Sequence, residues 1–256
     1  MTVRPILFSG PMVVALLEGR KTQTRRLLKP QPPEWAVHAS CLFKPVSLYQ
    51  WSEAEQAPPR ELDRWPNKDE GTKLRWCPCD LLWVRETWAP PIGGRQSPEW
   101  VQFRADHDEK AVKQATRKHG SGWRSAIHMP RWASRITLQV TDVRVQRLQE
   151  ISREDAIAEG IAWSDRSSGY SYDPVDGGPG YHASDPRESF FTLWRSINGD
   201  DSVDANPWIV AVTFATHKAN VDTVLAQLKL ANAEAGGWSH DASARQSGEI
   251  PKSTVP

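Results

Sequence analysis

The sequence predicts an α+β fold: a mostly antiparallel β-barrel with short helices at its rim and long loop insertions. Two segments, 80–89 and 135–148, alternate their apolar residues with the period of two that a half-buried strand requires. Two others, 10–18 and 186–197, space their apolar residues as an amphipathic helix does. The stretches between these segments are rich in proline, glycine, serine or charge and follow neither period, which indicates loops and insertions.

The remaining elements follow from local signals. Segment 135–148 predicts either a pair of strands or one long bent strand. Ser152 is a suitable N-cap for a short helix that Gly160 ends. Further strands are predicted at 3–8, from Thr22 onward, at 100–105 and at 208–214, and a further helix at 221–231.

We expect a single domain over 1–217, with insertions at about 30–79 and 164–186. The second insertion has the glycine, serine and proline content of a mobile loop or lid. Residues 218–256 are expected to form a C-terminal helix and then a disordered tail, because the composition after about residue 235 is typical of disorder.

Bulk composition narrows the function classes. The formal net charge is +1, so no overall field attracts the chain to nucleic acid. No run approaches the ~18 apolar residues of a membrane span, and we expect a cytoplasmic protein with no membrane partner. The 3 cysteines are too few for a disulfide framework, and the histidines share no metal-ligand spacing. Neither a metal site nor a cofactor is therefore expected.

The octet at 19–26, GRKTQTRR, carries the residues best suited to chemistry. It places Lys21 beside the hydroxyls of Thr22 and Thr24 at a reversal of the chain. A hydroxyl nucleophile is inert at neutral pH unless a base or a cation lies beside it, and Lys21 is a candidate for either role. The alternative is a helix C-terminus whose cations complement the helix dipole.

The octet, following a short amphipathic helix, resembles the signature of the ASCH family, whose fold is a PUA-like β-barrel. Within that family it is most similar to the small bacterial N(4)-acetylcytidine amidohydrolases, which are metal-independent. The resemblance implies that Lys21 and Thr24 are catalytic. Other parts of the chain resemble larger ASCH-type proteins of phages and prophages, at 4–8, 80–88, 129–135 and 206–208.

The resemblance also implies a catalytic carboxylate on a short helix after a central strand. Aligning that helix with 151–161 needs no gap and places the carboxylate at Glu159. Gly160 follows it where the family has asparagine. Two alternatives to this role are an ordinary solvated position for Glu159 and a competing carboxylate at Glu86, which lies on a predicted strand.

Two mechanisms fit these residues. In the first, neutral Lys21 takes the proton of Thr24, Thr24 attacks the acyl carbon, and Glu159 protonates or orients the departing amine. In the second, Lys21 stays charged and stabilises the oxyanion while Glu159 is the base. The cations around Lys21 favour the first mechanism, because they favour the neutral amine.

Substrate binding is predicted for Arg20, Arg26, Glu86, Arg131 and Trp132. Arg26 shares the predicted strand face of Thr24 and is a candidate for contacting the substrate carbonyl. Two stretches, 20–29 and 124–135, contain cations and no acid. Arg131 and Trp132 lie in the second and are candidates for holding a ribose, phosphate or base. The alternative is that they form a strand edge paired with surface acids.

The predicted function is hydrolysis of the acyl group on the exocyclic amine of an N(4)-acetylcytidine-type nucleoside. Its partner is then a small-molecule nucleoside, with no obligate protein partner. One alternative is a non-catalytic module that binds RNA or a modified base, since PUA-like barrels commonly do so. A ribonuclease of the same fold is a third hypothesis.

Overall fold

The computed structural model describes residues 1–32, 38–43, 48–52, 71–91, 100–106, 122–165, 168–172 and 183–236. Within these ranges the chain has an α+β fold with few helices and one five-stranded mixed sheet. The strands are β1 (Val3–Leu7), β2 (Gln23–Leu27), β3 (His38–Phe43), β4 (Leu48–Ser52), β5 (Gly71–Lys73), β6 (Leu81–Arg85), β7 (Trp88–Ala89), β8 (Gln102–Phe103), β9 (Thr137–Arg147), β10 (Ala162–Ser164), β11 (Gly169–Ser171) and β12 (Trp208–His217). The α-helices are α1 (Gly10–Leu17), α2 (Arg153–Ala158), α3 (Pro186–Asn198) and α4 (Val221–Gly236).

The central sheet has the strand order β1-β6-β9-β12-β2. β1 pairs with β6 in parallel, and the other three pairs are antiparallel. β1 and β2 form the two edges and do not pair with each other, so the described sheet is open where the sequence predicted a closed barrel. The two edge strands are joined by a side chain and not by backbone hydrogen bonds: Arg26 Nη2 on β2 donates to the carbonyl of Leu7 on β1 at 2.6 Å.

Both faces of the sheet are covered, which follows from the alternation of side chains along each strand. One face carries Val84 and Val212 and packs against α1 through residues such as Leu16. The opposite face is covered in two places. α2 and α3 pack near Ala211 of β12, and α4 packs near Trp83 of β6.

The predicted elements differ from the observed ones mainly where strands break. β9 is one long strand, which decides between the two alternatives for 135–148. The predicted strand at 80–89 is divided, because its second part pairs with another partner: Trp88 of β7 lies opposite Phe103 of β8. The predicted strand at 100–105 is reduced to the two residues of β8.

The two predicted insertions contain regular structure of their own. β3, β4 and β5 lie within 30–79 and form a three-stranded antiparallel sheet. β11 lies within 164–186 and pairs with β10. The helix predicted at 221–231 is confirmed and extends to Gly236, whereas the predicted tail at 237–256 lies outside the described residues. None of the described helices combines the length and the apolar character needed to cross a bilayer.

Candidate active site

The turn between α1 and β2 places Lys21 inside the molecule. Gly19 ends the helix with a φ of 77°, a conformation that glycine adopts without strain. The backbone N–H of Lys21 then donates to the carbonyl of Ala15 at 3.0 Å, which folds the residue back against α1. Lys21 is 2% exposed, so its amino group is held within the protein.

α2 brings Glu159 to the same place. The helix begins where the hydroxyl of Ser152 accepts a hydrogen bond from the backbone N–H of Asp155 at 3.0 Å, which confirms the predicted N-cap. It ends at Glu159, the C-cap residue. The backbone N–H of Thr22 donates to the carbonyl of Ala158 at 2.8 Å, and Lys21 and Glu159 form an isolated β-bridge. The end of α2 is thereby fixed beside the start of β2.

Gly160 is required by the close approach of these two segments. Its φ is 99°, and a Cβ added there would lie 3.2 Å from Cβ of Ala15 and 3.3 Å from Cβ of Lys21. Its carbonyl accepts a hydrogen bond from Arg20 Nη1 at 3.0 Å. A side chain here would therefore strain the backbone and force Ala15 or Lys21 to shift by a few tenths of an ångström.

We expect the substitution Gly160→Ala to lower the free energy of unfolding by about 1–3 kcal/mol, because it combines backbone strain with crowding. Urea unfolding followed by circular dichroism measures this change. The matched control is Gly122→Ala, where an added Cβ meets no atom within 4 Å. The control is expected to change the free energy by no more than about 0.5 kcal/mol. Equal effects at the two positions would contradict this account of Gly160.

Lys21 and Glu159 form a buried ion pair. Lys21 Nζ donates to Glu159 Oε2 at 2.7 Å and to the backbone carbonyl of the same residue at 2.7 Å. Arg25 Nη1 donates to the second carboxylate oxygen, Oε1, at 3.1 Å. Each oxygen of the Glu159 carboxylate therefore has its own cation.

Burial lowers the pKa of Lys21 below its ordinary value, because the charged ammonium loses its hydration. Glu159 opposes this shift through its charge and its hydrogen bond, whereas the charges of Arg26 and Arg25 add to it. The neutral amine is therefore more accessible here than in an exposed lysine. A neutral amine is the form that accepts a proton.

A cavity of about 380 Å³ opens at the β2 edge of the sheet, between α1 and α3. Thr24 lines it, is 4% exposed, and makes no side-chain hydrogen bond within the described residues. α3 contributes mainly apolar side chains to the lining. The lining residues are Leu7, Phe8, Ser9, Met12, Lys21, Thr24, Arg25, Arg26, Leu27, Ala126, Glu159, Phe190, Leu193, Trp194, Ile197 and Asn198.

The structure brings together four of the residues that the sequence singled out. Lys21, Thr24, Glu159 and Arg26 all line this cavity. Burial lowers the pKa of Arg26 from its ordinary value, and its guanidinium lies 5.3 Å from the ring centroid of Phe8. In the described part of the chain no carboxylate forms a salt bridge with Arg26. Arg26 is therefore a cation held in the wall of the cavity without a carboxylate in direct contact.

The other predicted substrate-binding residues do not line the cavity. Arg20 contacts Glu18 and the carbonyl of Gly160 beside it. Glu86 is 1% exposed, and its two carboxylate oxygens accept from Arg135 at 2.9 Å each. Burial raises the pKa of Glu86, and the Arg135 guanidinium opposes that shift. Glu86 is thus committed to an internal ion pair.

Arg131 and Trp132 lie outside the cavity lining, near α4 and β7. Arg131 forms an ion pair with Asp222, close to the start of α4. Trp132 packs edge-on against Trp88, with ring centroids 6.3 Å apart. The alternative for this stretch was a strand edge paired with surface acids. The pairing is found for Arg131, but residues 131–133 form a 3-10 helix and not a strand edge.

Sequence reasoning missed two contributors to the site. The alternation of side chains along β2 puts Arg25 on the face opposite Thr24, yet both are among the residues that line the cavity. The α3 wall was predicted as a helix but not as part of the site. The sequence does contain one signal for the role of Arg25: Asp155 and Glu159 are four residues apart, so their carboxylates lie on one side of α2 and can share a cation.

Comparison of the chain with family models, with curated proteins and with solved structures finds no match. Within the described ranges, no three histidine, cysteine, aspartate or glutamate side chains are grouped as a metal site requires.

Proposed function

We propose that this cavity is the active site of an amidohydrolase that removes the acyl group from the exocyclic amine of N(4)-acylated cytidine. The observation that carries the proposal is the presence of an amine, a hydroxyl and a carboxylate in one cavity wall. Lys21, Thr24 and Glu159 supply these groups, and Glu159 comes from a segment far from the other two in sequence. Amide hydrolysis requires such a set: a nucleophile, a base and an acid for the leaving amine.

The proposed reaction begins with neutral Lys21 accepting the proton of the Thr24 hydroxyl. The oxygen of Thr24 attacks the acyl carbon, and the bond from that carbon to the cytosine amine breaks. The proton moves from Lys21 Nζ to Glu159 Oε2, 2.7 Å away, and then to the departing amine, which leaves as cytidine. Water hydrolyses the Thr24 ester in the reverse sense and releases the carboxylic acid.

Two features favour Lys21 as the base over Lys21 as a fixed cation. Burial lowers its pKa, and the neighbouring charges of Arg26 and Arg25 act in the same direction. Arg26 supplies a separate cation in the cavity wall that can stabilise the oxyanion, which leaves Lys21 free for proton transfer. Arg26 thus retains the role of carbonyl contact that the sequence predicted.

The proposal includes membership of the ASCH family and a PUA-like fold. Its support is the octet in the setting that the resemblance implies, after a short helix and at the start of a strand. A second support is the short helix α2, whose C-terminal glutamate meets the octet lysine. The central sheet is mostly antiparallel, as the resemblance implies, but its described strands do not close into a barrel.

The state of the basic residues favours an enzyme over an RNA-binding module. A module that binds RNA needs cations available to phosphates. In the described chain, Arg25 and Arg135 each contact two carboxylates, and Arg131 contacts one. Several cations of the two acid-free stretches are therefore already paired with carboxylates.

The test is a deacylation assay with purified protein and N(4)-acetylcytidine, followed by the ultraviolet change as cytidine forms. We expect turnover, and we expect its rate to increase with pH up to the pKa of Lys21, which lies below the ordinary value of 10.5. The rate increases because the neutral amine is the base. A parallel RNA titration at several salt concentrations is the control for the rival function. RNA binding with a steep salt dependence and no deacylation would overturn the proposal.

A further inference from the structure

Arg25 is among the residues that line the proposed active site, but its guanidinium is committed to contacts within the protein. Its side chain is 0% exposed. Arg25 Nη2 donates to Asp155 Oδ2 at 2.6 Å, and Nη1 donates to Glu159 Oε1 at 3.1 Å and to Gln23 Oε1 at 2.5 Å. Its guanidinium also lies 5.8 Å from the ring centroid of Phe190 on α3. Contacts from three elements therefore fix one orientation of the guanidinium.

The two carboxylates that Arg25 joins both come from α2, Asp155 from its first turn and Glu159 from its C-cap. Asp155 and Glu159 are one helical turn apart, a spacing at which like charges repel. The planar guanidinium lies between them and presents a different nitrogen to each, which a lysine ammonium cannot do with the same geometry. The Glu159 carboxylate is thereby held with Oε1 toward Arg25 and Oε2 toward Lys21.

We propose that Arg25 is a positioning residue that acts on the reaction through Glu159, by holding its carboxylate in the orientation in which Oε2 receives the proton from Lys21. The inference rests on the proposed function. Arg25 is not itself a catalytic residue, because both of its Nη atoms already donate to side chains of the protein. Its effect on turnover therefore depends on the presence of the Glu159 carboxylate.

Asp155 is the anchor of this arrangement. Although it is partly buried, which alone raises a carboxyl pKa, the charges of Arg25 and Arg144 hold the pKa of Asp155 below its ordinary value. Arg144 Nη2 donates to its second oxygen, Oδ1, at 3.1 Å from the outer side. Asp155 thus stays anionic and keeps Arg25 in place. It contacts Arg25 and not the groups that are proposed to react.

The test is a double-mutant cycle on deacylation of N(4)-acetylcytidine, using Arg25→Met, Glu159→Gln and the double variant. We expect Arg25→Met alone to lower kcat by about 100-fold, with KM changed by no more than about 2-fold, because Arg25 does not touch the substrate. In the Glu159→Gln background the same change is expected to alter kcat by no more than about 2-fold, since the carboxylate that Arg25 holds is gone.

Two further variants separate positioning from folding. Arg25→Lys keeps the positive charge but loses the planar guanidinium, which donates to two carboxylates at once. When Glu159 is present, we expect the kcat of Arg25→Lys to lie between those of Arg25→Met and the wild type. In the Glu159→Gln background we expect Arg25→Lys to leave kcat unchanged. Circular dichroism shows whether Arg25→Met folds. If it does not fold, Arg25→Lys takes its place in the double-mutant cycle. The matched control is Arg153→Met, an exposed arginine on α2, which is expected to leave kcat unchanged.

The outcomes separate the two proposals. Absence of turnover by the wild-type protein would contradict the proposed function, and this inference with it. Turnover by the wild type, with equal losses from the Arg25 variants in both backgrounds, would contradict the inference alone. An increase in KM without a change in kcat would also overturn it, because it would mean that Arg25 contacts the substrate.

Discussion

Replacing Thr24 by alanine is expected to lower kcat for deacylation of N(4)-acetylcytidine by roughly 10⁴-fold or more, because the proposed nucleophile is lost. The fold is expected to survive. The Thr24 hydroxyl makes no side-chain hydrogen bond within the described residues, so its removal leaves no buried partner unsatisfied. The free energy of unfolding is expected to fall by less than about 1.5 kcal/mol, the usual cost of a small truncation.

Two variants control this prediction. Thr22→Ala removes an exposed hydroxyl two residues away in the same octet and is expected to leave kcat at the wild-type value. Thr24→Ser keeps a hydroxyl on the same backbone position and is expected to retain measurable turnover. Initial rates with each variant at saturating substrate make the comparison. A Thr24→Ala protein that keeps a tenth or more of the wild-type kcat would exclude Thr24 as the nucleophile.

Replacing Lys21 by methionine is expected to abolish deacylation and to lower the free energy of unfolding by about 3 kcal/mol. Turnover is lost because the proposed base is absent. Stability falls because Lys21 and Glu159 are both almost completely buried, and removal of one partner leaves a buried charge less well compensated. Arg25 still contacts the Glu159 carboxylate, which places the expected loss at the lower end of the range for buried pairs.

The double variant Lys21→Met with Glu159→Gln tests the cause of that loss. Its destabilisation is expected to be smaller than the sum of the two single effects, because no uncompensated charge remains. Urea denaturation of the four proteins provides the comparison. Lys218→Met, a change at an exposed lysine, is the matched control and is expected to stay within about 0.5 kcal/mol of the wild type. Additive effects of the two substitutions would contradict the coupling of Lys21 and Glu159.

The features that sequence predicted best are those determined by neighbouring residues. The Ser152 N-cap and the glycines at the ends of α1 and α2 are local signals, and the helices begin and end where these residues indicate. The approach of Glu159 to Lys21 is different. It joins residues 138 positions apart and followed from the family resemblance, since no local pattern encodes a contact of that separation.

Other parts of the site depend on tertiary packing that local patterns do not contain. Strand periodicity separates Arg25 from Thr24, but it does not indicate that β2 is an edge strand with a cavity around it. Likewise, nothing near Glu86 in sequence indicates that its partner is Arg135, 49 positions away. The open sheet has the same origin, because strand patterns do not specify whether the two edge strands meet.

The most direct test of the central claim is the identity of the group that carries the acyl chain during turnover. Wild-type protein is mixed with a slowly hydrolysed N(4)-acylcytidine, quenched in acid before the substrate is exhausted, digested and analysed by mass spectrometry. The account predicts one acyl group on the peptide that contains Thr24 and none in the Thr24→Ala protein. Steady turnover with no acylated peptide, or with the acyl group on any other residue, would contradict it.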